Sequence, residues 1–269
     1  MFELKDAVVL ITGAAKGLGA AFVKLIVEQG TKHVRILDID ENAGVLLQDE
    51  LNQKYGNDKV KFTKCDVTKD AELFGAFNET IEQHGYIDLV VNNAGITNES
   101  NSDYIRKEIE VNVTALINGT IKAIELMRKD RGGRGGTVIN ISSVVALVQH
   151  SPMFFTYSAT KSAVLQFSNS IGKEPYYSKT GVRVITICYG ATDTGIFDNM
   201  YSFDDDIKVK AVIDLFPMQT IEAAVQGTLE AYMRGESGST WMVHKGKTKD
   251  ITATIDKAYA DMAKLLEVD

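Results

Sequence analysis

Tyr157 and Lys161 stand four residues apart in a segment, 156 to about 177, whose spacing predicts a helix. Residues at that separation share one helical face, about one turn apart, so a phenol and an ammonium would lie side by side. The cation favours phenolate over phenol and should draw the tyrosine down from its ordinary pKa of about 10. A phenolate nearer neutrality can accept a proton from an alcohol, and the phenol can return one to a carbonyl. The pair alone is a weak signal, because a surface tyrosine beside a solvated lysine has the same spacing. Its surroundings give it weight.

Gly13, Gly17 and Gly19 lie between a short apolar run, 7–11, and an amphipathic helix carrying Phe22, Leu25 and Ile26. In that context glycines let a pyrophosphate approach the backbone, and the helix N-terminus offers free N–H groups and a positive dipole end. The bland alternative is a plain glycine turn. Lys16 and Leu18 sit within the same loop. Asp38 ends the second apolar run, where a carboxylate accepts hydrogen bonds from both adenosine ribose hydroxyls and repels a 2′-phosphate. This favours NAD over NADP. Lys16 is the counter-signal, a cation able to meet that phosphate. Asp66 and Val67 are expected at the adenine edge, with Asn93, Ala94 and Gly95 on the adenosine side of the cleft.

The elements that must position these groups alternate along the chain. Apolar runs at 7–11, 34–37, 60–65, 87–91, 137–141 and 182–188 are each followed by a helical pattern, and a last short run falls at 240–243. This alternation predicts an α/β fold: one Rossmann-type, doubly wound parallel sheet of about seven strands with helices on both faces. No linker, repeat or low-complexity tract divides residues 1–269, so a single domain is expected. Two stretches break the rhythm, a loop over about 190–217 and a tail at about 249–267 with apolar residues at helical spacing. In such a sheet the ligand sits at the carboxyl ends of the strands. That edge collects Gly13, Asp38, Asp66, Asn92, Ser143 and Gly190.

The net charge of −7 and a pI near 5.2 argue against nucleic acid or an anionic membrane as partner. Cys65 and Cys188 have no metal or redox spacing and suit buried thiols in a reducing compartment. His33, His84 and His244 show no ligand spacing, so no metal is expected. No leader pattern precedes the first strand and no run reaches the length of a membrane span, which makes a cytoplasmic protein the expectation.

Thr12-Gly-x-x-x-Gly-x-Gly19, Asn92-Asn-Ala-Gly95, Asn112, Ser143 and Tyr157-x-x-x-Lys161 occur together, in order, over about the first 195 residues. In this the chain resembles the short-chain dehydrogenase/reductase family. Ile11-Thr-Gly-Ala-Ala15, Leu37-Asp-Ile39, Val111-Asn-Val-Thr-Ala115 and Trp241-Met-Val243 look most like its 15-hydroxyprostaglandin dehydrogenase and insect-type alcohol dehydrogenase branch. The resemblance implies NAD-dependent interconversion of a secondary alcohol and a ketone. Tyr157 would transfer the proton, and Lys161 would lower its pKa and bind the nicotinamide ribose. Ser143 would hydrogen-bond the substrate oxygen, Asn112 would hold a water linking Lys161 to solvent, and Thr194 would meet the nicotinamide amide. Gly190 and Thr192 fall in the same cofactor segment. Where the family usually has Pro-Gly this chain has Tyr189-Gly190, which loosens the turn or lets Tyr189 line the pocket.

Val145, Leu147, His150, Phe154, Phe155, Tyr189, Phe197 and Tyr201 are expected to form a substrate wall. Its apolar character suggests a lipid-, terpenoid- or steroid-like alcohol or ketone. The resemblance further implies that the helices around Val111 and Phe167 pair across a twofold axis, as a homodimer or tetramer. The rival readings are an NADP-dependent carbonyl reductase, supported by Lys16, and a catalytically silent cofactor-binding protein, opposed by the intact Asn112, Ser143, Tyr157 and Lys161.

Overall fold

A computed structural model describes residues 2–149, 153–198 and 200–267. The chain begins β1 (Val8–Thr12), α1 (Gly17–Glu28), β2 (His33–Asp38), α2 (Glu41–Tyr55), β3 (Val60–Lys64), α3 (Asp70–His84) and β4 (Leu89–Asn92). After α4 (Ser102–Ile109) and α5 (Leu116–Met127) come β5 (Gly136–Ser143), α6 (Phe155–Gly172), α7 (Tyr176–Thr180) and β6 (Val182–Tyr189). The last elements are α8 (Val209–Ile213), α9 (Ile221–Arg234), β7 (Thr240–His244), β8 (Lys247–Asp250) and α10 (Thr252–Ala263). The strands form one sheet in the order β3-β2-β1-β4-β5-β6-β7-β8, parallel throughout except for β8.

Alternate side chains explain why the strands read as unbroken apolar runs. Val9 and Ile11 face a core shared with α1, α2 and α9, while Leu10 faces a second core under α3 and α5. Between β4 and β5 the second face carries a polar network. Asn92 Nδ2 donates to Thr120 Oγ1 at 3.0 Å and to Asn140 Oδ1 at 2.8 Å, and Asn140 Nδ2 donates to Ser168 Oγ at 2.9 Å. It ties two central strands to α5 and α6 with partners for each of these buried polar groups.

Three departures from the sequence reading have local causes. The helix expected at about 102–129 is interrupted by a π-helical segment, Glu110–Ala115, which carries Asn112. The helix expected to reach about 177 ends at Gly172, and a separate turn of helix follows Pro175, whose ring and missing N–H forbid continuation. The tail is not helical from 249. Lys245 and Gly246 both adopt left-handed φ (52° and 69°), the requirement of a two-residue hairpin turn, so Lys247–Asp250 folds back on β7 as an eighth, antiparallel strand. Among the described residues no helix is long and apolar enough to cross a membrane.

Candidate active site

Strand order reverses beside β1, whose neighbours are β2 and β4. A cleft of about 860 Å³ opens there, at the carboxyl ends of the strands. Gly13, Lys16, Gly17, Leu18, Gly19, Asp38, Asp66 and Val67 line it, as do Asn93, Ala94, Gly95, Gly190, Thr192 and Thr194. At Gly19 a Cβ would stand 2.3 Å from the Gly13 carbonyl oxygen, so only glycine allows the loop to fold this tightly on the start of α1. The cradle fits the pyrophosphate of a dinucleotide.

Asp38 is aimed by the backbone. Its Oδ2 accepts from Ala15 N and its Oδ1 from Asp40 N, each at 3.0 Å, which locks the carboxylate between the glycine loop and the end of β2. Lys16 reaches away to an ion pair with Asp40 at 2.5 Å, and this raises the lysine pKa, through a hydrogen bond first and charge second. Asn93 turns out to be a strut of the loop: its amide donates to the carbonyls of Thr12 (3.0 Å) and Gly13 (2.8 Å). Thr192 is similarly engaged, donating to Gly190 O at 2.9 Å and accepting from Gln219 Nε2 at 3.1 Å.

Ser143, Tyr157 and Lys161 meet in the same cleft. Ser143 ends β5, its hydroxyl accepting from Val145 N and donating to Tyr189 O, both at 3.3 Å. Lys161 is buried, its Nζ donating to Ile141 O at 3.0 Å and standing 5.5 Å from the centre of the Tyr157 ring. Desolvation brings this lysine down to about 8, against the opposing charges of Glu108 and Cys188. The phenol does not show the depression expected from Lys161. Burial pushes Tyr157 well above the ordinary tyrosine range, the charge of Glu108 pushes the same way, and a hydrogen bond with Ser143 pulls it partly back. Removing a phenolate from water outweighs a cation whose proton is directed at a backbone carbonyl.

Asn112 does not line the cleft. Its Oδ1 accepts from Ile96 N at 2.9 Å, and its Nδ2 donates to Ile96 O (2.8 Å) and Thr160 Oγ1 (3.2 Å). The side chain therefore staples the segment after β4 to α6. A further contact was invisible in the sequence: Glu99 Oε1 accepts from the backbone N–H groups of Thr156 (2.6 Å) and Tyr157 (3.1 Å). The residue preceding α6 is Phe154 at φ 68°, which provides no side-chain cap, so Glu99 satisfies the start of the helix from 57 residues away.

Val145, Leu147, Val148, Phe154, Ile196, Phe197, Phe216 and Met242 give the cleft an apolar stretch of wall. Phe154 rather than Phe155 faces inward, packing on Tyr157 and Phe216 at ring distances of 6.1 and 5.7 Å. Phe155 is exposed against Phe203, and Tyr201 is exposed, so neither borders the cleft. Tyr189 borders it, but its hydroxyl is hydrogen-bonded to Thr228. Gly190 was expected at the cofactor and has a packing reason as well: a Cβ there would meet His244 Nδ1 at 2.1 Å. His244 ends β7 and lines the cleft, a role that its isolated position in sequence did not signal. His150 lies outside the described residues.

A family model for short chain dehydrogenases matches residues 7–205. The chain belongs to the short-chain dehydrogenase family. It is 34% identical to human 15-hydroxyprostaglandin dehydrogenase [NAD(+)] over 200 residues, which is 74% of this chain and 73% of the relative. It is 30% identical to alcohol dehydrogenase 1 of Ceratitis cosyra over 251 residues, covering 92% and 95% of the two chains. Its fold is shared with a short-chain type dehydrogenase/reductase from Mycobacterium marinum at a TM-score of 0.76 and 22% identity, over 91% of this chain and 96% of the other.

Proposed function

We propose that this short-chain dehydrogenase is an NAD-dependent enzyme that interconverts a secondary alcohol and a ketone on an apolar skeleton, within one catalytic domain. The observation carrying this reading is the convergence of Ser143, Tyr157 and Lys161 on one cleft with an apolar wall at one end and Asp38 at the other. Names of the relatives, a hydroxyprostaglandin dehydrogenase and an alcohol dehydrogenase, point to the same reaction at a hydroxyl group.

The glycine loop and the N-terminus of α1 would hold the pyrophosphate, Asp38 the adenosine ribose, and Thr194 with Gly190 the nicotinamide end. When bound, the nicotinamide supplies the hydride acceptor. The protein handles the proton. Ser143 Oγ hydrogen-bonds the substrate oxygen and orients it toward Tyr157 Oη. Tyr157, ionised, takes the hydroxyl proton as the carbonyl forms; in the reverse direction it donates that proton. Lys161 places a positive charge beside the phenolate and a donor toward the cofactor ribose. Asn112, fixed by its bonds to Ile96 and Thr160, would help to hold a water that links Lys161 to solvent. Val145, Leu147, Phe154 and Phe216 exclude bulk water around the reacting carbon.

Titrating the purified protein with NADH and NADPH by fluorescence tests the cofactor assignment. We expect NADH to bind at least about tenfold tighter. Tighter NADPH binding would mean that Lys16 outweighs Asp38, making the protein a carbonyl reductase, and absence of binding would remove the enzyme reading. Ile109 and Ile121, exposed on the α4–α5 arm, support self-association through these helices. Sedimentation should give a dimer or tetramer at micromolar concentration; a monomer there would refute the assembly.

A further inference from the structure

Behind the catalytic pair lies a set of buried polar atoms that the reaction as described does not use. Glu108 is fully buried near the end of α4, and Glu99 is 1% exposed on the segment after β4. Glu108 Oε2 accepts from Asn98 N at 2.9 Å while Oε1 has no hydrogen-bond partner. Glu99 uses Oε1 to cap α6, and its Oε2 is also without one. Glu108 stands one helical turn before Asn112, on the face that meets the 95–99 segment and α6. The Lys161 ammonium lies beside Asn112 on this side of the cleft, since a Cβ at Gly95 would stand 3.4 Å from Asn112 Oδ1 and 3.5 Å from Lys161 Nζ. The titratable groups coupled to Glu108 by charge are Glu99 from that segment and Tyr157 and Lys161 from α6, and Cys188 of β6 is coupled to Lys161.

Two physical demands meet here. A buried ammonium needs an anion, since a carbonyl such as Ile141 O offsets only part of its desolvation. Two buried carboxyl groups facing each other disfavour simultaneous ionisation. Resting on the catalytic reading above, we propose that Glu108 is a positioning residue: it is the buried counter-charge that keeps Lys161 an ammonium and tunes Tyr157, with Glu99 setting when Glu108 can carry that charge.

Glu108 is raised to about 7 by desolvation, with the Glu99 charge adding to it, against the Asn98 hydrogen bond and Lys161. Its carboxylate holds both Lys161 and Tyr157 at higher pKa than they would otherwise have. Neutralising it lowers both, so the two limbs of the pH profile move in one direction.

The test is the pH dependence of kcat/KM for NAD-linked oxidation of an apolar secondary alcohol by the wild type, Glu108→Gln and Glu108→Asp. In Glu108→Gln both limbs should slide to lower pH by about one unit. Glu108→Asp, which keeps the charge, should restore the wild-type limbs. A lower but unshifted profile in Glu108→Gln would assign the residue a purely structural role and overturn the proposal. If the wild type has no NAD-linked activity, the catalytic reading itself fails, a different result from unshifted limbs. Should Glu108→Gln not fold, carbon-13 NMR of wild-type protein labelled at glutamate Cδ reads the same coupling. One carboxyl should titrate near 7 and move to higher pH in Lys161→Met. A full set of glutamates at ordinary values, or no response to Lys161→Met, would likewise overturn it.

Discussion

Replacing Tyr157 by phenylalanine should lower kcat by about 10³-fold or more while changing NADH affinity by less than about twofold. The ring stays, so its packing on Phe154 is kept, and so is the apolar surface beside the Lys161 stem. Only the hydroxyl is lost, and with it the hydrogen bond to Ser143 and the group that exchanges the substrate proton. Stopped-flow turnover and fluorescence titration on the same preparation separate the two effects. A variant retaining more than a tenth of wild-type turnover would remove Tyr157 from the proton transfer. Because burial holds the phenol high in the ligand-free protein, we also expect no tyrosine titration attributable to Tyr157 across the neutral range before cofactor is added.

The second large effect is expected at Asp38. The Asp38→Asn variant keeps an acceptor oxygen for the loop but removes the charge that meets a 2′-phosphate. A unit charge about 5.5 Å from that phosphate, in a medium of effective dielectric about 20, is worth about 3 kcal/mol. At about 1.4 kcal/mol per tenfold, the ratio of kcat/KM for NAD over NADP should fall roughly a hundredfold. The ion pair with Asp40 shapes the outcome, because Lys16 must be released from it before it can assist the phosphate. The double variant Asp38→Asn with Asp40→Asn should therefore favour NADP further than the single one. An unchanged cofactor ratio in both would show that discrimination lies elsewhere in the cleft.

The hairpin at Lys245–Gly246 has only a faint local signal in the sequence. A two-residue turn with positive φ at both positions leaves only a lysine-glycine pair as its trace, and the apolar spacing beyond it looks helical because α10 follows almost at once. Phe154 and Phe155 illustrate a signal that was absent. Adjacent aromatics are equivalent in composition, and the left-handed φ of Phe154 decides which one faces the cleft.

By itself the sequence determined the alternation of the first seven strands with helices, the sheet edge that carries the cleft, the glycine loop on it, and the candidate set of Ser143, Tyr157 and Lys161. The elements and the loop rest on short-range physics, the period of apolar residues and the steric freedom of glycine, and the pairing of Tyr157 with Lys161 on the register of one helical turn, whereas Ser143 joined that pair through the family resemblance. Only the tertiary structure decided the rest. Asn93 and Asn112 became struts, Glu99 became the cap of α6, and Glu108 was buried against the segment after β4. So did the balance of charges on Tyr157, where desolvation overrides a neighbouring cation. Hydrogen bonds between residues tens of positions apart, and the loss of water around a charge, depend on which segments the sheet brings together, and no local pattern of residue types encodes that.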